Sequence, residues 1–592
     1  MKREPLYTSF FRKLLSNSKK SAAYELLRLI VLVLIGILLT QLVSFGQDLS
    51  QIGHTKPLTF TGGLQARSMV YNVSGIPNRQ EKFNYVFDGN FTANVYGWSI
   101  PFSFTFSPEN KDFRQPFNKF GLSPQYKWVT VHLGYRNLNF SPYTLAGHTI
   151  LGAGVELNPG KLRTAFVYGK LNRATVIDTT TLSLVPYSFS RTGMALKLGY
   201  GTKDNYFDLS FLTAKDDTTS APVEFIGDDA KVLAEANSVL GYQTRFSIID
   251  KFFFESDGAV SLYTRDINSP LSLDSANSSF LENLKNTFNV NGSSSLLSAL
   301  GASLGYKERY YGVKLSYKRV DPNFNTMGAY YFSNDLESYT INPNFSLPNG
   351  MLRGNISIGI QKDNIRNQKQ ATNKRFIGTA NIAGQLTKEF GVDLLFSNFS
   401  NNQSPKTLSF ADSLKIVQTT QVLSITPKYF IQGERFTHMI MVSANLSGMK
   451  DYNSYFDSET QTRNINTNQY MASYTINIPA INLSLFSNLN YTQLKRSDGE
   501  DTYQGVGFGG NYSFLENKAQ FGLNSNIMQG KSAYTGKSLI INGSLNGRYR
   551  LSRMHSISLQ LFVTNNNPGT AIIESNPQFT ETRGELAYQF NF

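Results

Sequence analysis

Apolar and polar residues alternate along the chain from about residue 58 to its last position. In one stretch Trp98, Ile100, Phe102, Phe104 and Phe106 share a face, while Ser99, Pro101, Ser103 and Thr105 share the other. Farther on, Ile481, Leu483, Leu485, Leu489 and Tyr491 oppose Asn482, Ser484, Asn488 and Asn490. Leu539, Ile541, Leu545, Tyr549 and Leu551 likewise oppose Asn542, Ser544, Asn546, Arg548 and Arg550. A period of two marks strands with one apolar face, and almost no segment follows the helical period. The segments run about 10–14 residues, longer than the usual soluble strand and suited to crossing a bilayer at a tilt. Aromatics near strand ends, Trp98, Tyr200, Tyr491 and Tyr549, fit lipid-interface girdles.

Connections sharpen this reading into an all-β fold: a large single-chain transmembrane antiparallel β-barrel. Short ones such as Asn158–Lys161, Gln432–Arg435, Leu515–Lys518 and Ser552–Met554 alternate strictly with longer polar stretches at 266–295, 319–336, 400–417 and 449–464. That order matches periplasmic turns and extracellular loops. Counting gives 25 segments, whereas a barrel with both ends periplasmic needs an even number; 26 strands are expected, 24 next, with the irregular region at 108–147 hiding a crossing. At about 4.8 Å between strands and a tilt near 40°, 26 strands enclose a diameter near 50 Å, too wide for wall side chains to fill. Within 266–295, Phe280, Leu284 and Phe288 form the one stripe at helical spacing, suited to a lid or a partner-docking surface.

The N-terminal part breaks the pattern. Seven basic residues against Glu4 and Glu25 precede an apolar run, Leu29 to Val43, and small residues Ser44 and Gly46. This reads as an export signal over 1–46, followed by a short periplasmic segment, 47–57, and the barrel, 58–592. Alternation begins so soon after the cleavage site that no N-terminal plug domain is expected. Loss of the leader lowers the formal charge from +14 to about +9. The chain has no cysteine, which removes disulfides, thiolate metal sites and a lipidated N-terminus. A mean hydropathy of −0.26 and 17% charged residues fit walls that give only alternate positions to lipid.

The chain ends Leu586-Ala587-Tyr588-Gln589-Phe590-Asn591-Phe592. Tyr588, Phe590 and Phe592 at every second position resemble the C-terminal assembly signal of bacterial outer-membrane β-barrel proteins. The Gly-Gln cleavage site and the Asn-, Ser- and Tyr-rich strands look like the Bacteroidota type of that class. The resemblance implies residence in the outer membrane, contact with its lipid and lipopolysaccharide, presentation to the barrel-insertion machinery, and membership of outer-membrane or periplasmic complexes.

Candidate chemistry is sparse. Lys197, Lys314, Lys318, Arg353, Arg548 and Arg550 fall on polar faces and would line the lumen, where cations favour anions. Glycines 505, 507 and 509, and 152 and 154, make flat inner walls that a second backbone could approach, or mark curvature. The run Lys362–Lys369 with Lys374 and Arg375 could meet lipopolysaccharide phosphates. Gly301-Ala302-Ser303-Leu304-Gly305 matches G-x-S-x-G, yet lies in a strand rather than at a strand-to-helix turn. The five histidines, His54, His132, His148, His438 and His555, lack metal-ligand spacing, and the acidic groups at 228–229 and 498–501 lack the EF-hand pattern. No cofactor, catalytic residue or nucleic-acid partner is expected. The function anticipated is a loop-gated transport channel or translocation pore, the alternatives being a non-conducting accessory subunit of an outer-membrane complex and, third, a membrane-embedded hydrolase.

Overall fold

The computed structural model describes residues 58–108, 119–174, 188–220, 232–271, 288, 290–329, 333–368, 371–405, 416–451, 464–533, 536–569 and 577–592. The leader, His54, the acidic pair at 228–229 and most of the anticipated helical stripe at 266–295 lie outside these residues.

Each strand pairs antiparallel with its neighbours in chain order, and the first, Leu58–Ser74, pairs with the last, Phe579–Asn591, over Gly63↔Asn591 to Ser74↔Thr580. The sheet closes, so no edge is left with unpaired backbone groups, the condition for a sheet in hydrocarbon. Of 27 strands, the two shortest, Lys119–Leu122 and Gln125–Tyr126, both lie between Trp98–Phe106 and Val129–Asn137. They are one crossing broken at Ser123-Pro124, and the barrel has 26. Proline lacks the N–H that the ladder requires, which explains the break and why the periodicity of 108–147 concealed a crossing. The strict alternation of short and long connections does not hold. The hairpin at Ser497-Asp498 and the link at 533–535 are as short as turns, although they lie at the long-loop end.

Glycine shapes one wall. Gly121, Gly134, Gly152, Gly169 and Gly193 are direct partners across five successive crossings and face the lumen as one row. A Cβ on Gly152 would stand 2.0 Å from the Tyr168 carbonyl oxygen, and one on Gly169 2.5 Å from that of Leu151. Neighbouring strands therefore approach closely on their inner side along this row, where only a residue without Cβ fits. Gly505, Gly507 and Gly509 behave differently. The Phe486 ring lies over Gly509 and the Asn488 amide over Gly507, so neighbouring side chains rather than a second backbone occupy that flat wall.

Gly152→Val is expected to abolish the heat-modifiable folded band on gels. Gly543→Ala, where the added methyl meets nothing within 4 Å, is expected to leave it unchanged.

Candidate functional site

Alternation assigns every second side chain to the lumen, and the lumen divides into two sectors. From Thr149 to Leu336 the inward positions are largely apolar or small: Ala165, Val167, Ala195, Leu212, Val239, Ala259, Leu297 and Ala299 are all buried. In a wide pore such residues would face water. They are covered by two connections from the long-loop end that fold inward, at residues 138–148 and 321–329. Leu138, Phe140, Tyr143 and Leu145 from the first join Phe324 and Met327 from the second and the wall residues in one hydrophobic core. Tyr143 and Phe324 meet edge to face with ring centroids 6.0 Å apart. Burial of each such side chain is worth about 1.5–3 kcal/mol.

Polar groups fix the register of this internal plug. The Thr144 and Ser210 hydroxyls lie 3.0 Å apart, and Thr326 Oγ1 donates to the Thr144 carbonyl at 2.7 Å. Asn237 accepts from the Met327 N–H at 3.0 Å and donates to Ser261 at 2.8 Å, while Ser261 donates to the Asn325 carbonyl at 2.7 Å. The two loops bridge each other at Ala146 and Ala329. Gly241 permits the approach, since a Cβ there would come within 2.5 Å of Thr144 Cγ2.

Most of the described lumenal ion pairs lie in or beside this sector. Arg163 grips Asp208 through two nitrogens at 2.8 and 2.9 Å. Arg191 bridges Asp216 and Glu235, both at 2.7 Å, and Arg245 pairs with Glu255 at 2.7 Å. Three of the six expected lumen cations are drawn in as well. Lys197 stands 5.4 Å over the Phe140 ring, Lys318 5.9 Å over the Tyr143 ring, and Lys314 lies 3.9 Å from Glu255. Cation–π contacts of this kind bind the plug to the wall. The other three, Arg353, Arg548 and Arg550, lie near the short-turn end of their strands. Arg353 shares a cavity of about 490 Å³ with Asp393, which is itself paired with Lys428. The six do not form a ring.

The remaining sector, from about Ser338 through the closure to Thr105, has a wall of amides and hydroxyls. Ser357 donates to Asn342 at 2.7 Å, Asn490 to Asn488 at 2.7 Å, Asn524 to Ser544 at 3.2 Å and Thr564 to Asn542 at 2.9 Å. Among the described residues no loop covers this wall. Its groups are half-buried or exposed, presenting donors and acceptors to the lumen.

Outside, the expected interface aromatics separate by height. Trp98, stacked on Tyr126 at 5.1 Å, Tyr200 and Tyr549 lie at the short-turn end, whereas Tyr491 lies beside Tyr470 toward the long-loop end. Phe592 packs against Phe60 and Phe91 of the first two strands, with centroids 6.3 and 6.0 Å away, and exchanges backbone hydrogen bonds with Gly62.

Hydrolytic chemistry finds little support. Ser303 faces the lumen from within a strand and bonds only to Ser316, at 3.0 Å. A serine and a histidine do meet elsewhere, which the sequence motif could not reveal because they lie on adjacent crossings. Ser123 Oγ is 3.0 Å from His132 Nδ1, and His132 Nε2 is 2.9 Å from Glu156. The carboxylate accepts from Nε2–H, so Nδ1 accepts from the serine. Two donors that would steady an oxyanion are missing: the residue after Ser123 is a proline, and the Ser123 N–H is committed to the Pro101 carbonyl at 3.0 Å. The chain of bonds instead spans the break in the strand. The acidic turn at Asp498 and Asp501 is likewise no cation site, because Arg496 lies between them at 3.3 and 2.9 Å.

No family model and no curated protein matches the chain. Solved structures similar to it include the P pilus usher (PapC) translocation pore, at 10% identity over 90% of this chain and 99% of that one, with a TM-score of 0.37. The copper transporter OprC aligns at 8% identity over 90% and 80%, TM-score 0.38. Pseudomonas aeruginosa OccK9 (OpdG) aligns at 9% over 90% and 98%, TM-score 0.28. Likenesses this loose define no family. The chain's own closure, lipid-facing apolar belt and interfacial aromatics make it a bacterial outer-membrane β-barrel of 26 strands.

A fluorophosphonate probe is expected to leave the detergent-solubilised barrel unlabelled. Labelling that Ser123→Ala removes would revive the hydrolase.

Proposed function

We propose that the protein is a transport channel of the outer membrane, of the Bacteroidota type suggested by its strands, in which an internal plug narrows an oversized barrel to an eccentric passage. The observation that carries this reading is the division of the inner wall: apolar where the loops at 138–148 and 321–329 seal it, amide- and hydroxyl-rich where nothing described covers it. Neutral donors and acceptors replace the hydration shell of an uncharged polar solute at little electrostatic cost. Short oligosaccharides and other uncharged hydrogen-bonding solutes are the cargo class that such a wall suits. Charged groups on the plugged side are paired, and on the open wall Arg67 pairs with Asp88, Arg496 with Asp501 and Arg583 with Glu585, which leaves its amides and hydroxyls as the groups free to meet a solute.

Planar-bilayer recording tests this. The purified barrel is expected to conduct with weak ion selectivity. Thr144→Ala with Asn237→Ala, which loosens the plug without shortening it, is expected to raise single-channel conductance. Replacing 139–146 by a short glycine-serine link is expected to raise it several-fold. Closed behaviour in all three proteins, each folded by its heat-modifiable band, would overturn the channel and favour a barrel that only docks partners.

A further inference from the structure

The outer wall carries a second, unrelated arrangement. On strands Tyr311–Val320, Leu336–Ser346, Leu352–Lys362 and Ala371–Gln385 three outward rows run from strand to strand, at right angles to the strands. Nearest the long-loop end, Arg319, Glu337, Lys362 and Lys374 are successive cross-strand partners. One step lower, about 7 Å along the strands, the partners are Tyr317, Tyr339, Ile360 and Phe376. Below these come Leu315, Ile341 and Ile358. The lower two rows border a furrow of about 610 Å³ with an almost wholly apolar lining, extended by Phe254 and Leu304.

The charged row is organised around one carboxylate. Glu337 accepts from Tyr339 at 2.8 Å and Tyr317 at 3.3 Å through Oε1, and pairs with Lys362 at 2.8 Å through Oε2. Its charge is spent within the row, which holds the Lys362 ammonium directly above the tyrosines. Three cations against one anion leave an excess of two positive charges above the apolar furrow. Long loops mark the extracellular end, so the charges lie at headgroup height of the outer leaflet and the furrow at acyl height.

We propose that this face is a binding site for a phosphorylated acyl glycolipid of the lipid A type, its phosphate held by Lys362, Lys374 and Arg319 and one acyl chain laid in the furrow. Charge complementarity selects this occupant. A partner protein would leave the acyl-height furrow unexplained, and an uncharged lipid would leave the cations unmatched. The inference is independent of conduction through the lumen.

Add-back of lipid to delipidated barrel in detergent, read by native mass spectrometry, tests it. Bisphosphoryl lipid A is expected to be retained by the parent and by Lys531→Gln/Lys537→Gln, a cross-strand lysine pair elsewhere on the outer wall. Retention is expected to fall about tenfold in Lys362→Gln/Lys374→Gln and when the lipid is dephosphorylated. All four lysines are exposed, and the heat-modifiable band confirms folding of each variant. Equal retention by the Lys362/Lys374 variant and the parent, equal loss in the Lys531/Lys537 control, or equal retention of phosphatidylglycerol and lipid A would each overturn the proposal.

Discussion

Backbone pairing in hydrocarbon governs the rest of this structure. An unpaired N–H or C=O in lipid costs several kcal/mol, so a spanning sheet must close on itself. Here the closure is the ladder between Leu58–Ser74 and Phe579–Asn591, locked at its short-turn end by Phe592 against Phe60 and Phe91. Once 26 crossings are committed to a ring, the enclosed space is far wider than wall side chains can fill, and everything inside answers that geometric fact.

The answer is asymmetric. The glycine row from Gly121 to Gly193 lets neighbouring strands approach closely on their inner side, and small residues beyond it let two loops lie against the wall. Those loops bring their own apolar side chains, so that part of the lumen is packed like the interior of a soluble domain. Across from it the wall stays wet. A membrane barrel thereby contains both a dry core and an aqueous surface, separated by azimuth rather than by layer. The outer wall is differentiated as well, with the basic row at Arg319, Lys362 and Lys374 set above an apolar furrow.

Much of this is legible in the residues alone. Alternation revealed the barrel, its lipid-facing side and, through parity, its strand number. The one hidden crossing was concealed by Pro124, which cuts a strand into pieces too short for periodicity to register. Periodicity does not give the contacts of the expected lumen cations, because Lys197 and Lys318 find Phe140 and Tyr143 only after a distant loop folds back. The hydrogen bonds that link Ser123, His132 and Glu156 leave no mark in the sequence for the same reason: pairing across strands, not spacing along the chain, brings them together.

The sequence by itself determined which side of each strand meets lipid, because a period of two is a local property that hydration imposes residue by residue. Tertiary structure decided what the inward side meets. An inward alanine or leucine reads the same whether it faces water or a buried loop. Only the long-range return of 138–148 and 321–329 distinguishes the dry sector from the amide-lined one.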